Sequence, residues 1–494
     1  VEQGVDAYKR FISKSTRQNY KEYKEKRKAA KKMIKAKKRN FLKETVKQIE
    51  EKAKQNRTRE MYRLVKQQTK PYQPRLKTCR NKGEPLIIER EILERWKEYF
   101  NDLYLTESNA IEESNYQSAE IQIRPIELEE VRTAIRKLKN CKASGEDEIT
   151  AELFKYGGEI LTERIHALLS KIWEIETIPE EWLTSIIVPV HKKGDKTVCE
   201  NYRGISLLNT IYKVLTNVIF DRISPYAEEI LADYQCGFRR NKSTTDQCFI
   251  LSQIFEKHQE YQIGLHCLFI DYRQAFDSIH RNKVERALLL QGIPRKYVNL
   301  VKQTLVNTSA KVKVHGLTTD PIEINSGVRQ GDALSTVIFN LMLNFAIKEV
   351  NPGGTIFNKA CQICAYADDI VILARNMCTL KETFSRLEKL TEELGLKINV
   401  SKTKYLKKAF TTSEHRVHDL MIGGYNFEHV DNFVYLGVRF NTYKDTEEAV
   451  LDRIQAANRT YFANVKFFKS RLITRNTKLG LYKTLIRPVL SYGC

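Results

Sequence analysis

The sequence has no uninterrupted apolar run of about 18 residues, no signal-peptide pattern and no transit-like leader. A membrane-spanning or secreted chain is therefore not expected; a soluble intracellular protein, nuclear or cytoplasmic, with reduced thiols is. Zinc-site patterning is missing too. The ten cysteines are scattered, and the one Cys-x-x-Cys pair, Cys361 with Cys364, has neither a second pair nor the histidines that a zinc site needs. Both are read as strand residues. Acid is in deficit: 61 Asp and Glu stand against 83 Lys and Arg, leaving a formal net charge of +22. Residues 1–50 hold seventeen Lys or Arg against six Asp or Glu, so half the excess lies in a tenth of the chain. That balance points to a polyanion, above all nucleic acid, because neutralised phosphates release their counterions. An anionic membrane surface is the plainer rival.

At 494 residues with 42% hydrophobic content, the chain has room for two to four domains or one multi-lobed enzyme. It opens on Val1 and stops at Ser491-Tyr492-Gly493-Cys494 directly after an apolar segment, and is read as a piece of something larger.

Residues 20–70, rich in Lys, Glu, Gln and Ala, are helical by propensity yet offer no continuous face to bury. They read as a solvated helix or a basic arm along a nucleic-acid backbone, ended by Pro71 and Pro74. Ile92, Trp96, Phe100 and Leu103 fall three or four apart and predict a packing helix within 87–105; Val131, Ile135 and Leu138 predict another. A charged, glycine-containing turn, residues 142–149, follows. Ser185 to Val190 is a short strand leading to His191-Lys192-Lys193-Gly194-Asp195, and beyond a loop comes Asn201-Tyr202-Arg203-Gly204. The two basic clusters on one loop suit either a solvated β-hairpin or a finger over a triphosphate. Residues 235–247, with three cations, one aromatic and several hydroxyls, suit a loop touching a nucleic-acid backbone.

An apolar run, Leu265 to Ile270, ends on Asp271, with Phe276 and Asp277 soon after. Next, the glycine-flanked loop Ser326 to Asp332 opens a helix with Leu334, Val337, Ile338, Leu341, Met342 and Phe345 on one face, stopped by Pro352-Gly353-Gly354. Strands are predicted over Ile363–Ala367 and Ile370–Ala374, with Asp368 and Asp369 as the turn between them. An Asp-Asp turn is usually just solvated, so only partners elsewhere give it a role. A helix with Leu380, Phe384, Leu387, Leu390 and Leu394, closed by Gly395, then leads through residues 397–406 into a strand. Phe433 to Val438 is a further hairpin, and helices follow from Glu447. The sum is α+β, an antiparallel sheet with helices on one face.

Asp271, Asp368 and Asp369 supply three carboxylates, the donor set for two divalent ions in nucleotidyl transfer. Hard oxygen ligands favour Mg²⁺, with Mn²⁺ as a substitute. With Tyr366-Ala367-Asp368-Asp369 and Phe269-Ile270-Asp271-Tyr272-Arg273-Gln274-Ala275-Phe276-Asp277 in this order, nearly the whole chain resembles the reverse transcriptase of non-LTR, LINE-like retrotransposons. The resemblance implies a right hand of fingers, palm and thumb, and a primer extended with dNTPs on an RNA template; the rival readings are an RNA-dependent RNA polymerase, against which Phe276 speaks, and a decayed or domesticated copy that only binds RNA, against which the intact acids, Phe276 and Lys402 speak. It implies that Asp271, Asp368 and Asp369 bind the metals, Asp369 the more peripherally, and that the Tyr272 carbonyl adds a ligand. Phe276 would exclude a ribose 2′-hydroxyl, and Gln330 and Gly331 would touch the nascent base pair. Lys192, or Lys193, with Arg203 would hold the triphosphate; Lys402, or Lys404, would protonate pyrophosphate. Gln235, Phe238 and Arg239 would lie along the template, and Tyr435, Leu436 and Gly437 would grip the primer. Gly204 and Ser144 stand where that family commonly carries proline. The expected segments are a basic arm over 1–85, an extension over 86–180, fingers and palm over 181–440, and a helical thumb, not necessarily complete, over 441–494. The family's endonuclease and its Cys/His knuckle have no counterpart here, so any DNA nicking is expected from outside this chain. No membrane partner is expected.

Overall fold

Lysine, glutamate and alanine dominate the segment that the computed structural model folds into one long helix, Arg17–Lys54. Thr16 caps it, its hydroxyl accepting from the Asn19 N–H at 3.3 Å. The described residues are 2–69, 79–81, 84–86, 88–105, 123–350, 361–408, 418–442 and 446–493. They fall into two units, Val1–Pro74 with Thr446–Cys494, and Arg75–Asp445.

In the first unit the long helix buries only its far end, Thr45, Val46, Ile49 and Glu50. Val46 and Ile49 cluster with Met61 and Val65 of the helix Thr58–Thr69, Phe467 of Thr446–Phe468, and Ile473 and Leu481. The Thr474 N–H donates to Glu50 Oε2 at 3.1 Å, tying the two ends of the sequence together. The expected basic arm and the expected C-terminal helices thus share one core. Pro71 and Pro74 lie outside the described residues.

The second unit includes α1 (Glu89–Tyr104), α2 (Leu128–Lys137), β1 (Thr184–His191), β2 (Tyr202–Leu207), α3 (Thr210–Ile230), α4 (Thr244–Glu260), β3 (Leu265–Ile270), β4 (Thr308–Val314), β5 (Ile322–Ile324), α5 (Ala333–Val350), β6 (Cys361–Tyr366), β7 (Asp369–Ala374), α6 (Met377–Glu393), β8 (Lys404–Lys408), β9 (Asn432–Tyr435) and β10 (Val438–Asn441), with further helices between, among them Gly158–Ile175, Arg281–Leu290 and Arg295–Leu305. Helices and sheets are mixed, as expected of an α+β chain. One sheet is built on the β1–β2 hairpin: β2 pairs antiparallel with β1, and β1 pairs parallel with β4, Thr184 opposite Ser309 and Ile187 opposite Val312. The sequence reading did not identify β4, although Thr308, Ala310 and Val312 alternate as a strand should and are buried.

The other sheet has the order β8-β3-β7-β6 and is antiparallel throughout. Its two central strands, β3 and β7, read as nearly continuous apolar runs because both faces are covered. Leu268, Ile270, Ile370 and Ile372 enter the main core with α5 and α6. On the opposite face Phe269 stacks on Phe433 at 4.2 Å, and the β9–β10 hairpin is backed by α4 through Phe255 on Phe440. The expectation that helices alone cover one face therefore needs a hairpin added on the other.

Helix α5 departs from the one-sided pattern read in the sequence. Besides Leu334, Val337, Ile338, Leu341 and Met342, it buries Phe339, Asn340, Leu343, Asn344, Ala346 and Ile347. By length and composition it is apolar enough to cross a membrane, but 72% of it is buried in this core. The sequence reading missed it because Asn340, Asn344, Lys348 and Glu349 interrupt the run. The asparagines earn their burial as ties: Asn340 Nδ2 donates to the Gly237 carbonyl at 2.7 Å and Asn344 Nδ2 to Gln291 Oε1 at 2.8 Å. Pro352, Gly353 and Gly354 lie outside the described residues.

Candidate functional site

The acidic hairpin turns one residue earlier than its sequence suggested. Tyr366 pairs with Asp369, so the two-residue turn is Ala367-Asp368 and Asp369 is the first residue of β7. Alternation then sends the two acids in different directions, Asp368 at the tip and Asp369 on the strand. Ile370 pairs with Ile270, which brings Asp369 beside Asp271, the residue that follows β3.

Asp271 is cradled by the segment before β8. Its N–H donates to Thr403 Oγ1 at 3.2 Å, Asn399 Nδ2 donates to its Oδ2 at 3.1 Å, and Lys402 Nζ lies 3.5 Å from the same oxygen. Lys404, the alternative to Lys402, instead pairs with Glu428. The acids disturb one another. Loss of surrounding solvent, and then Asp368 and Asp271, push Asp369 up to about 6. Asp368 is also raised, first by burial, with Arg203 and Lys192 opposing.

Asp271, Asp368 and Lys402 line a cleft of about 330 Å³, and Lys192 and Arg203 from the β1–β2 hairpin line it as well. Such a volume suits a small organic ligand. Burial, Arg203 and Lys402 lower the Lys192 pKa, while Asp271 and Asp368 oppose that shift. Lys193, the alternative, is not among the lining residues. Gly204 fits because a Cβ there would come 2.8 Å from the Phe100 ring of α1.

Phe276 lies in the wall, stacked on Phe339 of α5 at 4.2 Å. Gln330 and Gly331 form the neighbouring wall. The Gln330 carbonyl accepts from the Ser206 N–H at 2.8 Å, and its side-chain Nε2 donates to Asp277 Oδ2 at 2.6 Å. Gly331, at φ +132°, passes so close to β2 that a Cβ would lie 2.7 Å from the Ser206 carbonyl oxygen. Asp277 is buried and also accepts from the Tyr104 hydroxyl at 3.2 Å, and burial pushes its pKa up to about 7.

Sequence reasoning missed several of these residues. Tyr99 and Tyr104 of α1 bring hydroxyls to Gln274 and Asp277, although that helix was read as packing alone. The signal was present: both are aromatics with a polar handle on a buried face. Asp277 and Gln274 lie inside the motif 269–277, whose pattern alone gives them no role.

The residues expected on nucleic acid divide. Phe238, at φ +56°, is 52% exposed and lies 6.2 Å from Phe276 and 6.4 Å from Tyr366, open to a ligand. Gln235 is buried and bonded to the hairpin tip, not open to a template. Arg239 is committed to Glu228 Oε2 at 2.8 Å and to the Ala232 carbonyl at 2.7 Å. Tyr435 is buried, its hydroxyl donating to the Asp369 carbonyl at 3.2 Å, and Leu436 and Gly437, both at positive φ, form the β9–β10 turn. Tyr272 has a buried side chain.

Among the described residues no three His, Cys, Asp or Glu side chains stand close enough to hold an ion as they are. The donor set nevertheless fits a hard divalent cation: three carboxylates at the neighbouring ends of β3 and β7 and the turn before β7, two of them with pKa values raised, is a crowd that such a charge would relieve.

A family model described as reverse transcriptase (RNA-dependent DNA polymerase) matches residues 190–440. The RNA-directed DNA polymerase from mobile element jockey of Drosophila melanogaster is 25% identical over 398 residues, 77% of this chain and 42% of that protein. The probable RNA-directed DNA polymerase from transposon X-element, also of Drosophila melanogaster, is 25% identical over 430 residues, 83% of this chain and 46% of its own length. A retrovirus-related Pol polyprotein from type-1 retrotransposable element R2 of Popillia japonica is 26% identical over 286 residues, 57% of this chain and 39% of its own. The chain thus spans less than half the length of these relatives. Enzymes of the matched family generally use divalent metal ions. Matched over half its length by that model, the chain belongs to the reverse transcriptase (RNA-dependent DNA polymerase) family, among its non-LTR, LINE-like retrotransposon members.

Proposed function

We propose that this chain is an RNA-directed DNA polymerase, adding dNTPs to a primer 3′-hydroxyl on an RNA template in the course of retrotransposition. One observation carries the reading: Asp271 and Asp368 share a single cleft with Lys192 and Arg203, and Phe276 stands in its wall. The sheet β8-β3-β7-β6 serves as palm, the β1–β2 hairpin as part of the fingers, and the helices from Thr446 as thumb.

Lys192 and Arg203 neutralise the triphosphate and hold it against the acids. Phe276, backed by Phe339, cannot give way and meets the sugar where a 2′-hydroxyl would project. The Gln330-Gly331 loop, with no side chain at Gly331, bears on the nascent base pair. Lys402 delivers a proton to departing pyrophosphate. Two Mg²⁺ ions, or Mn²⁺ in substitution, held by Asp271, Asp368, Asp369 and the Tyr272 carbonyl, would activate the 3′-hydroxyl and offset phosphate charge. Phe238 and the turn at Leu436 and Gly437 contact template and primer. No membrane enters the scheme, and target nicking, where it occurs, comes from outside these residues.

Comparing dNTP with NTP incorporation on primed RNA tests the reading. Incorporation of dNTPs well above NTPs is expected, and a preference for NTPs would contradict it. Phe276→Val should raise NTP incorporation most, since it opens the wall that meets the sugar.

A further inference from the structure

The turn of the acidic hairpin is held in a conformation that an alanine seldom adopts. Ala367 sits at φ +55°, in the left-handed region that persists in a non-glycine residue only where surroundings fix it. One side chain supplies the fixing. Gln235, 1% exposed, accepts the Ala367 N–H through Oε1 at 2.8 Å, and its Nε2 donates back to the Ala367 carbonyl at 3.4 Å. The same Oε1 accepts the Gly237 N–H at 2.8 Å.

The backbone around Gln235 is fixed as well. The Cys236 N–H donates to the Ala365 carbonyl at 3.0 Å, and the Ala365 N–H donates to the Tyr234 carbonyl at 2.9 Å, so Gln235 forms a single parallel β-bridge with Ala365 of β6. Gly237 passes so close that a Cβ would come 2.3 Å from the Ala367 nitrogen. Its carbonyl is anchored on α5 by Asn340 Nδ2 at 2.7 Å.

We infer that Gln235 is a positioning residue for nucleotidyl transfer: it locks Ala367 and thereby sets where the Asp368 carboxylate stands. The inference rests on the reading of Asp368 as a metal ligand. A planar amide that bonds both the N–H and the carbonyl of one residue prevents that residue from turning, and Asp368 is joined directly to it. Octahedral Mg²⁺ tolerates little misplacement of a ligand, and a shift of about 1 Å can cost about 10²-fold in rate.

The test uses the whole chain and begins with the wild-type protein. Hydrogen exchange resolved at Ala367 should show a protected amide; exchange as fast as in an open turn would overturn the inference outright. In Gln235→Met, a side chain of similar size that neither donates nor accepts here, the Ala367 amide should lose protection. Mn²⁺ affinity, read by electron paramagnetic resonance, should weaken about tenfold and kcat fall about 10²-fold, with primer–template affinity changed no more than a few-fold. Gly237→Ala, which leaves the amide in place but crowds the same peptide, should give the same pattern. Variants that melt like wild type yet keep its Mn²⁺ affinity and kcat would overturn the inference. If instead Asp368→Asn leaves Mn²⁺ binding unchanged, the metal-ligand reading fails, while exchange at Ala367 still decides whether Gln235 holds the turn.

Discussion

Asp277 lines the cleft, its two oxygens taken by Gln330 and Tyr104. Its folded pKa of about 7 lies above the value of about 3.9 expected unfolded, so the folded state binds the proton more tightly. Its contribution to stability is therefore present at low pH and lost as pH rises through about 7. Metal-free thermal melts at a series of pH values should show wild type losing stability across that window, with a smaller loss in Asp277→Asn; equal pH dependence in both would contradict the assignment. Asp368 and Asp369 make a second contrast. Tip and strand positions differ, and Asp368→Asn should abolish primer extension with RNA binding kept within a few-fold. The sequence revealed the acids, Phe276 and both basic clusters because their chemistry is local. It hid the partners of Gln235, Arg239 and Gln330, since a glutamine or arginine bonded within the fold reads the same as one facing out.

At the scale of elements, the helices α1, α2 and α6 and the strands of the acidic hairpin were legible from apolar spacing. What spacing could not reveal was coverage on a second side: the hairpin β9–β10 over Phe269, and neighbours all around α5. Phe269→Ala, which empties the stacked contact with Phe433, should cost about 3–5 kcal/mol of unfolding free energy in denaturant titrations. The pairing of β1 with β4 was also out of reach, because a parallel contact across 125 residues leaves no local mark. Gly331→Ala presses a Cβ into the Ser206 carbonyl. It should raise the dNTP KM more than it lowers kcat, as steady-state kinetics on primed RNA would read.

Across the whole molecule the dominant feature is charge. A net +22, half of it in the first 50 residues, makes association with nucleic acid strongly dependent on salt. Primer–template affinity should fall at least about tenfold between about 50 and 200 mM monovalent salt; a flat response would remove phosphate neutralisation from the account. The sequence showed this charge plainly but not that residues near both ends fold into one unit, which depends on Val46, Ile49 and Phe467 meeting at long range. The central claim is polymerisation at the carboxylates, and one assay reaches it directly: purified chain, Mg²⁺, primed RNA and dNTPs, beside Asp368→Asn. Wild type should make cDNA and the variant none; no product from either, or the same product from both, would contradict the account.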